Sequence, residues 1–401
     1  VYAIDEFVGA IRHCLQCNFC LSACPIYREE LVEAHAPRGR LNLVEATLVD
    51  QRVAPNEKVR RRLDRCLLCA SCARVCPGGI PLDDVFLAAR VELSRKPGTG
   101  LTERFVVRQV LNRRVTSSLL KRSLSLARRL GLAPSDIPRV ASTSFTRRAP
   151  REAAPRGPTA ARVAYFVGCG TEYLFPDTGE ALLRVLPIHG IAVVVPEGQT
   201  CCGLPALALG DLDAAREAVE VFLAVFAALE VDAVVTDCTS CGHMLRQKAP
   251  RVLPPDDPRL KQLRGLTDKV FEVTEFLAGL GAQRKPPLLD VKVTYHVPCH
   301  RGWSEGVAAA PRRLLAQAAG VRWTEMREPE SCCGAGGYFF LRHRNVAERI
   351  RRRKVEDVLA TGADVVVTQC PACRYYLQQA LADEDEPRVL HPVALLAGPE
   401  P

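Results

Sequence analysis

Long apolar runs are absent from this chain of 401 residues. The most apolar stretch, Ala218 to Val235, is broken by Glu220, Glu230 and Asp232. It is too polar to span a bilayer and reads as a buried helix running into a strand. Val1 to Arg12 has no basic cluster followed by an apolar run, so no secretory leader is expected there. Glycine-rich nucleotide loops are missing as well. Gly168-Cys-Gly170 and Gly334-Ala-Gly336-Gly337 both fall short of the GxGxxG spacing. No Ser–His–Asp order, no paired-carboxylate site and no flavin or nicotinamide fold can be traced, so the chain cannot oxidise an organic substrate unaided. Nucleic acid is not an expected partner either. The net charge of +9 is concentrated between Leu101 and Arg162, where fourteen Arg and Lys stand against Glu103, Asp136 and Glu152. That window carries one aromatic pair, Phe105 and Phe145, and no nucleic-acid motif. It reads as a solvated basic connector, with an acidic partner or anionic lipid as the other contacts it could make.

What the chain does have is cysteine: 18 residues, too sparse for a disulfide scaffold and high for an ordinary intracellular protein. They fall into four groups with none left over. Cys14, Cys17, Cys20 and Cys24 read C-x2-C-x2-C-x3-C-P, and Cys66, Cys69, Cys72 and Cys76 repeat that spacing. Cys169, Cys201-Cys202-Gly203 and Cys238-x2-Cys241 form the third group. Cys299, Cys332-Cys333-Gly334 and Cys370-x2-Cys373 form the fourth. Thiolate ligands require a reducing compartment, so a cytoplasmic location is expected, free or peripheral at the inner face of the cytoplasmic membrane.

Two-residue gaps let three cysteines curl around one side of a cubane [4Fe–4S] core, while the cysteine before proline reaches across. In two-cluster ferredoxins that fourth cysteine ligates the other cluster. Cys14, Cys17, Cys20 and Cys76 are therefore assigned to one cluster, and Cys66, Cys69, Cys72 and Cys24 to the second. Pro25 and Pro77 fix the turn after each reaching cysteine. A pair of zinc knuckles fits CxxC alone, but not the doubled triplet ending in Cys-Pro.

Residues 1–100 are expected to form a mainly helical two-cluster ferredoxin-like domain, because 41 residues separate Cys24 from Cys66, too many for the compact small ferredoxin. Residues 101–158 read as basic amphipathic helices followed by a Pro/Arg-rich linker. The remainder is an internal duplication, 159–284 and 285–401. Cys169 and Cys299 are offset by 130, Cys201 and Cys332 by 131, and both CxxC cysteines by 132. Apolar strands end in cysteine in each copy, and helical stretches lie between them (Asp211 to Leu229, Asn345 to Leu359). Alternating strands and helices predict a parallel α/β sheet with the thiols at the carboxyl ends of its strands.

Adjacent cysteines bond poorly to each other but can bind two irons of one core, and the following glycine suits a positive-φ turn. With the ferredoxin pair and two CCG units in one chain, the sequence resembles the iron–sulfur subunit of glycolate oxidase and of related lactate-oxidising complexes. It also resembles the fused ferredoxin-and-CCG subunit of heterodisulfide reductase. Ala36-Pro-Arg-Gly-Arg40 is similar to the Pro-Arg-Gly stretch of the glycolate-type proteins. The resemblance implies that Cys169, Cys201, Cys202, Cys238 and Cys241 hold one noncubane [4Fe–4S] assembly. Cys299, Cys332, Cys333, Cys370 and Cys373 would hold another, with zinc in one copy as the alternative occupant. Both CxxC pairs are intact here, whereas many glycolate-type subunits have lost a cysteine.

The implied function is electron relay from a partner FAD-containing 2-hydroxy acid oxidase toward a quinone or another carrier. The alternative is reduction of a disulfide at a noncubane cluster in the CCG pair. His243, His296 and His300 lie within three residues of a cysteine and are candidates for iron ligation, proton shuttling or hydrogen bonding to sulfide. Arg38 and Arg40 are candidates for raising a cluster potential, or for simply opening the helix that follows.

Overall fold

The computed structural model describes residues 2–94, 107–108, 140–281, 289–382 and 387–398. Most of the basic segment expected to form amphipathic helices lies outside them. Among the described residues, no helix is long and apolar enough to cross a membrane.

Every regular element within 2–94 is helical. The cysteine triplets sit in loops leading into the one-turn helices Phe19–Ser22 and Ser71–Arg74. Proline opens the helices Pro25–Glu30 and Pro37–Val44 at their first position, where a missing N–H costs nothing. Asn56 caps Glu57–Asp64, its Oδ1 accepting from Lys58 N at 2.9 Å and Val59 N at 3.1 Å. Asn56→Ala is expected to lower stability by about 1 kcal/mol in a denaturant titration, since both amides lose their partner at an exposed helix end.

The module's longest helix, Leu82–Ser94, is buried on almost every side. Tyr2, Phe7, Val44, Val59 and Leu63 of the module and Ala206, Leu207 and Leu212 of the next unit belong with it to one continuous core. The boundary near residue 100 expected from sequence therefore marks no break in packing. Ser94 Oγ donates to Gly210 O at 2.6 Å, and Arg90 donates to Ala208 O at 2.8 Å across the same junction.

The first α/β unit holds β1 (Glu152–Ala153), β2 (Ala161–Tyr165), β3 (Ile191–Val194), β4 (Ala233–Thr236) and β5 (Val270–Glu272). They are ordered β1-β3-β2-β4-β5, with β1 antiparallel and the rest parallel. The second unit holds β6 (Val291–Tyr295), β7 (Val321–Trp323), β8 (Val365–Val367) and β9 (Arg388–Leu390), ordered β7-β6-β8-β9 and all parallel. Val163 pairs with Val193 on one side and Ala233 on the other, as Val293 pairs with Trp323 and Val365. The central strands are covered on both faces, which is why they read as unbroken apolar runs rather than alternating ones. Helices Leu212–Phe226 and Arg344–Leu359 occupy the stretches expected from the duplication.

The linker reading needs correction at its end. Phe145 is fully buried in a short helix, Phe145–Arg148, against Tyr165 at a ring-centroid distance of 5.9 Å. Glu152 and Ala153 pair with Val194 and Val193 as the sheet edge. A two-residue edge strand shows no periodicity, so composition alone reads it as a connector.

Candidate metal centre

Within 2–94 the eight cysteines gather around two cavities. Cys14, Cys17, Cys20 and Cys76 line one, beside Arg38 and Leu41. Cys24, Cys66, Cys69 and Cys72 line the other, beside Arg40 and Phe86. Each triplet loop is bent by two left-handed residues flanking its middle cysteine: Gln16 (φ 53°) and Asn18 (φ 68°), then Leu68 (φ 53°) and Ala70 (φ 56°). For residues with a Cβ this conformation costs about 1–2 kcal/mol each. It turns successive backbone N–H groups toward one point, the arrangement that cradles anionic groups. Leu68 N–H already donates to Cys66 Sγ at 3.4 Å. A net-anionic iron–sulfide core held by four thiolates fits such a cradle. Burial pushes the Cys24 thiol up to about 11, partly opposed by the Arg40 guanidinium, so metal entry there releases a proton.

Arg40 is itself buried, donating to Arg62 O at 3.2 Å and Arg65 O at 2.9 Å. It ties the helix after the first triplet to the loop before the second. Arg38 instead pairs with Glu33 and Asn18 at the surface.

In both α/β units the thiols stand at the carboxyl ends of adjacent strands, where chain order reverses and ligands bind. Cys169 follows β2 and starts the helix Cys169–Tyr173. Cys238 follows β4 as the cap of Thr239–His243, its Sγ accepting from Cys241 N at 3.4 Å. Cys370 follows β8 and precedes Pro371–Gln378. Cys333 and Cys373 approach to 3.2 Å between sulfurs, and Gly334 N donates to Cys332 Sγ at 3.3 Å. Hydrogen bonds from Cys201 and Cys241 pull the Cys202 thiol down to about 6. Cys333 is held well below the ordinary thiol value by Cys332 and Cys373 in the same way. Each unit thus gathers sulfur donors, one of them drawn toward the thiolate form by its neighbours, a donor set made for a soft or borderline metal.

Three of the four groups open onto one chamber of about 480 Å³. Cys202, Cys241, Cys333 and Cys373 line it from the two α/β units, and Cys66 and Cys69 from the helical module. His243, His296 and His300 line it too. The rings of His243 and His300 stack at 4.6 Å with 12° between planes. His300 Nε2 lies 2.9 Å from Leu68 O, which can only accept, so Nδ1 is the nitrogen that accepts from Ser240 Oγ at 3.0 Å.

Comparison with known proteins agrees with this layout. Residues 10–80 match the family described as a 4Fe-4S dicluster domain. Residues 163–246 and 293–378 each match the cysteine-rich domain, CCG. The probable glycolate oxidase iron-sulfur subunit of Bacillus subtilis (strain 168) is 30% identical over 409 residues, covering 96% of this chain and 91% of that one. The chain belongs to the glycolate oxidase iron–sulfur subunit family. A fumarate reductase (CoM/CoB) subunit of Methanothermobacter marburgensis is 29% identical over 378 residues, covering 93% of this chain and 69% of that one. A hypothetical protein from Helicobacter pylori, known from its crystal structure, shares the fold at a TM-score of 0.53 and 12% identity, covering 91% of this chain and 68% of that one. As a member of the glycolate oxidase iron–sulfur subunit family, the chain is an electron-transfer subunit.

In this family member, several residues that position the cysteines carry no motif. Arg74 Nη1 donates to Cys69 O at 3.2 Å and to Cys299 O at 3.0 Å, clamping the second triplet loop onto the second α/β unit. Arg90 gathers Leu63 O, Asp64 O and Cys66 O on one nitrogen. Lys248 bridges Asp83 and Asp84 in the buried junction with the first unit. Ser240 alone had a signal, since it lies between the cysteines of a CxxC pair.

Proposed function

We propose that this chain carries electrons between a flavin-bearing partner, which oxidises a 2-hydroxy acid such as glycolate or lactate, and a quinone or similar carrier. Oxidation of the hydroxy acid to the 2-oxo acid releases two electrons and two protons, and reduction of a quinone to the quinol consumes both. Cys14, Cys17, Cys20 and Cys76 would hold one cubane [4Fe–4S] cluster, and Cys24, Cys66, Cys69 and Cys72 the other. The five cysteines of each CCG unit would hold a further iron–sulfur core. Such clusters accept and release single electrons at potentials set by charge, hydrogen bonding and burial. The protein's part is to bring the groups close and keep them dry. The observation that carries the reading is the common chamber, in which the second triplet faces both CCG sets. Cys69 and Cys299 are tied through one guanidinium there. A cytoplasmic location, free or at the inner membrane face, belongs to the same proposal.

The same chamber supports a second reading. Thiol sets from both units face each other across it, and a disulfide could be reduced between them to two thiols by two electrons and two protons delivered through the helical module.

The test is an anaerobically purified complex with its flavoprotein. It is expected to reduce a water-soluble quinone with glycolate or lactate, at least tenfold more slowly when Cys69→Ser is introduced and the flavin is retained. Reduction of disulfides by a low-potential donor, with no hydroxy acid activity, would replace the first reading by the second.

A further inference from the structure

The internal duplication makes the two CCG sites comparable position by position, and beneath the cysteines they differ. Tyr165-Phe166-Val167-Gly168-Cys169 corresponds to Tyr295-His296-Val297-Pro298-Cys299. The backbone agrees: Phe166 N donates to Val235 O at 2.8 Å, and His296 N donates to Val367 O at 3.0 Å, in the neighbouring strands β4 and β8. In the first unit Phe166 packs edge-on against Phe222, with centroids 5.7 Å apart. Gly203 abuts Ala215 as Gly334 abuts Ala347. That helix register, an offset of 132, places Lys354 where the first unit has Phe222. An aromatic pair under one site is thus a histidine and a lysine under the other.

His296 is fully buried, and the group its ring faces is the Cys333 sulfur rather than a carbonyl or a carboxylate. A structural histidine would ordinarily spend its N–H on a carbonyl. Instead, a ring nitrogen of His296 and the sulfurs of Cys333 and Cys373 all lie within 4.8 Å of one another. Lys354 is wholly buried in the same region and donates to Pro329 O at 3.4 Å and to Glu328 O. Its nearest carboxylate is Asp357, at 3.6 Å.

We propose that His296 is a ligand of the metal held by Cys333 and Cys373, so that the second CCG site is a mixed nitrogen–sulfur centre while the first is all-sulfur. This rests on the reading that the CCG units hold iron–sulfur cores. The imidazole binds through its neutral nitrogen lone pair, with no change in electron count. His296 would take the position of one of the five thiolates, and a neutral ligand there favours the reduced state, as replacement of cysteine by histidine does in other iron–sulfur centres. The second site, the one clamped to the Cys69 loop, is then the higher-potential member of the pair.

The test uses the anaerobically purified full-length protein in complex with its flavoprotein, grown with 15N-histidine and poised over a range of potentials. Pulsed paramagnetic resonance should show a directly bonded histidine nitrogen. The coupling should vanish in His296→Phe, which installs the first unit's own residue, and persist in His243→Phe. His296→Cys should restore the iron content without the coupling and lower the midpoint potential of that centre. Iron in the second unit without a histidine coupling overturns the inference and leaves the electron-transfer reading intact, and zinc there does the same. Protein that binds no iron anywhere removes both.

Discussion

Lys248→Ala is expected to destabilise the folded chain by about 3–5 kcal/mol. Lys248 Nζ lies 2.6 Å from Asp83 Oδ2 and 2.6 Å from Asp84 Oδ1, and all three side chains are nearly shut off from water. Removing the cation leaves two carboxylates side by side in a buried junction, and the loss reflects their uncompensated charge more than the worth of the pair itself. The two aspartates are not equivalent. Asp84 retains Tyr2, whose hydroxyl donates to Oδ1 at 3.2 Å, and Arg251 at 3.8 Å. Asp83 has no other cation among its ion pairs within the described residues. Adding Asp83→Asn to Lys248→Ala should therefore recover more stability than adding Asp84→Asn. Denaturant unfolding of the three variants beside the unaltered chain measures this directly. A change of only about 0.5 kcal/mol for Lys248→Ala, the value of an exposed pair, would show that the junction is wet. The consequence reaches function, because Arg90 on the same helix, Leu82–Ser94, holds Cys66 O at 2.7 Å.

Much of the architecture is legible without coordinates because it repeats. Offsets of 130 to 132 between cysteines carry strands and helices with them, so one unit's pattern checks the other's. The repeated C-x2-C-x2-C-x3-C-P spacing marks the eight N-terminal cysteines as two interleaved sets, as in two-cluster ferredoxins. What could not be read are relations between parts distant in sequence. Lys248 and Asp83 are 165 residues apart, and no local pattern announces their meeting. Arg74 touches Cys299 O across 225 residues. The edge strand Glu152–Ala153 is too short for periodicity, and its fold comes from the neighbour it pairs with. The shared chamber is the largest such gap, since four cysteine groups on paper give no hint that three face one space. The contrast between Phe166 and His296 is visible in the sequence. Its meaning depends on burial and on the approach of the ring to the Cys333 and Cys373 sulfurs, which only a structure supplies.

Gly334→Ala is expected to be the more damaging of two formally identical substitutions. Gly203 and Gly334 both follow a cysteine pair and both adopt φ near +90° (92° and 91°), a conformation that costs an alanine about 1–2 kcal/mol. Their surroundings differ. A Cβ on Gly203 would sit 3.1 Å from Ala215 O and 3.2 Å from Ala218 Cβ, tight but open to adjustment. On Gly334 it would lie 2.5 Å from Ala347 O and 3.2 Å from the Tyr376 ring. Ala347 O is backbone inside the helix Arg344–Leu359, so relief requires moving the helix or the Cys332-Cys333 loop. The overlap adds about 1–3 kcal/mol to the backbone strain. Gly203→Ala should thus lower stability by about 1–2 kcal/mol and Gly334→Ala by about 2–5 kcal/mol. Because the strained loop bears two of the five thiols of the second site, Gly334→Ala should also shed that unit's metal while the helical module keeps its own. Thermal unfolding combined with iron and labile-sulfide analysis reads both effects. Equal losses in the two variants would mean that backbone conformation, not helix contact, governs how these cysteine pairs are held.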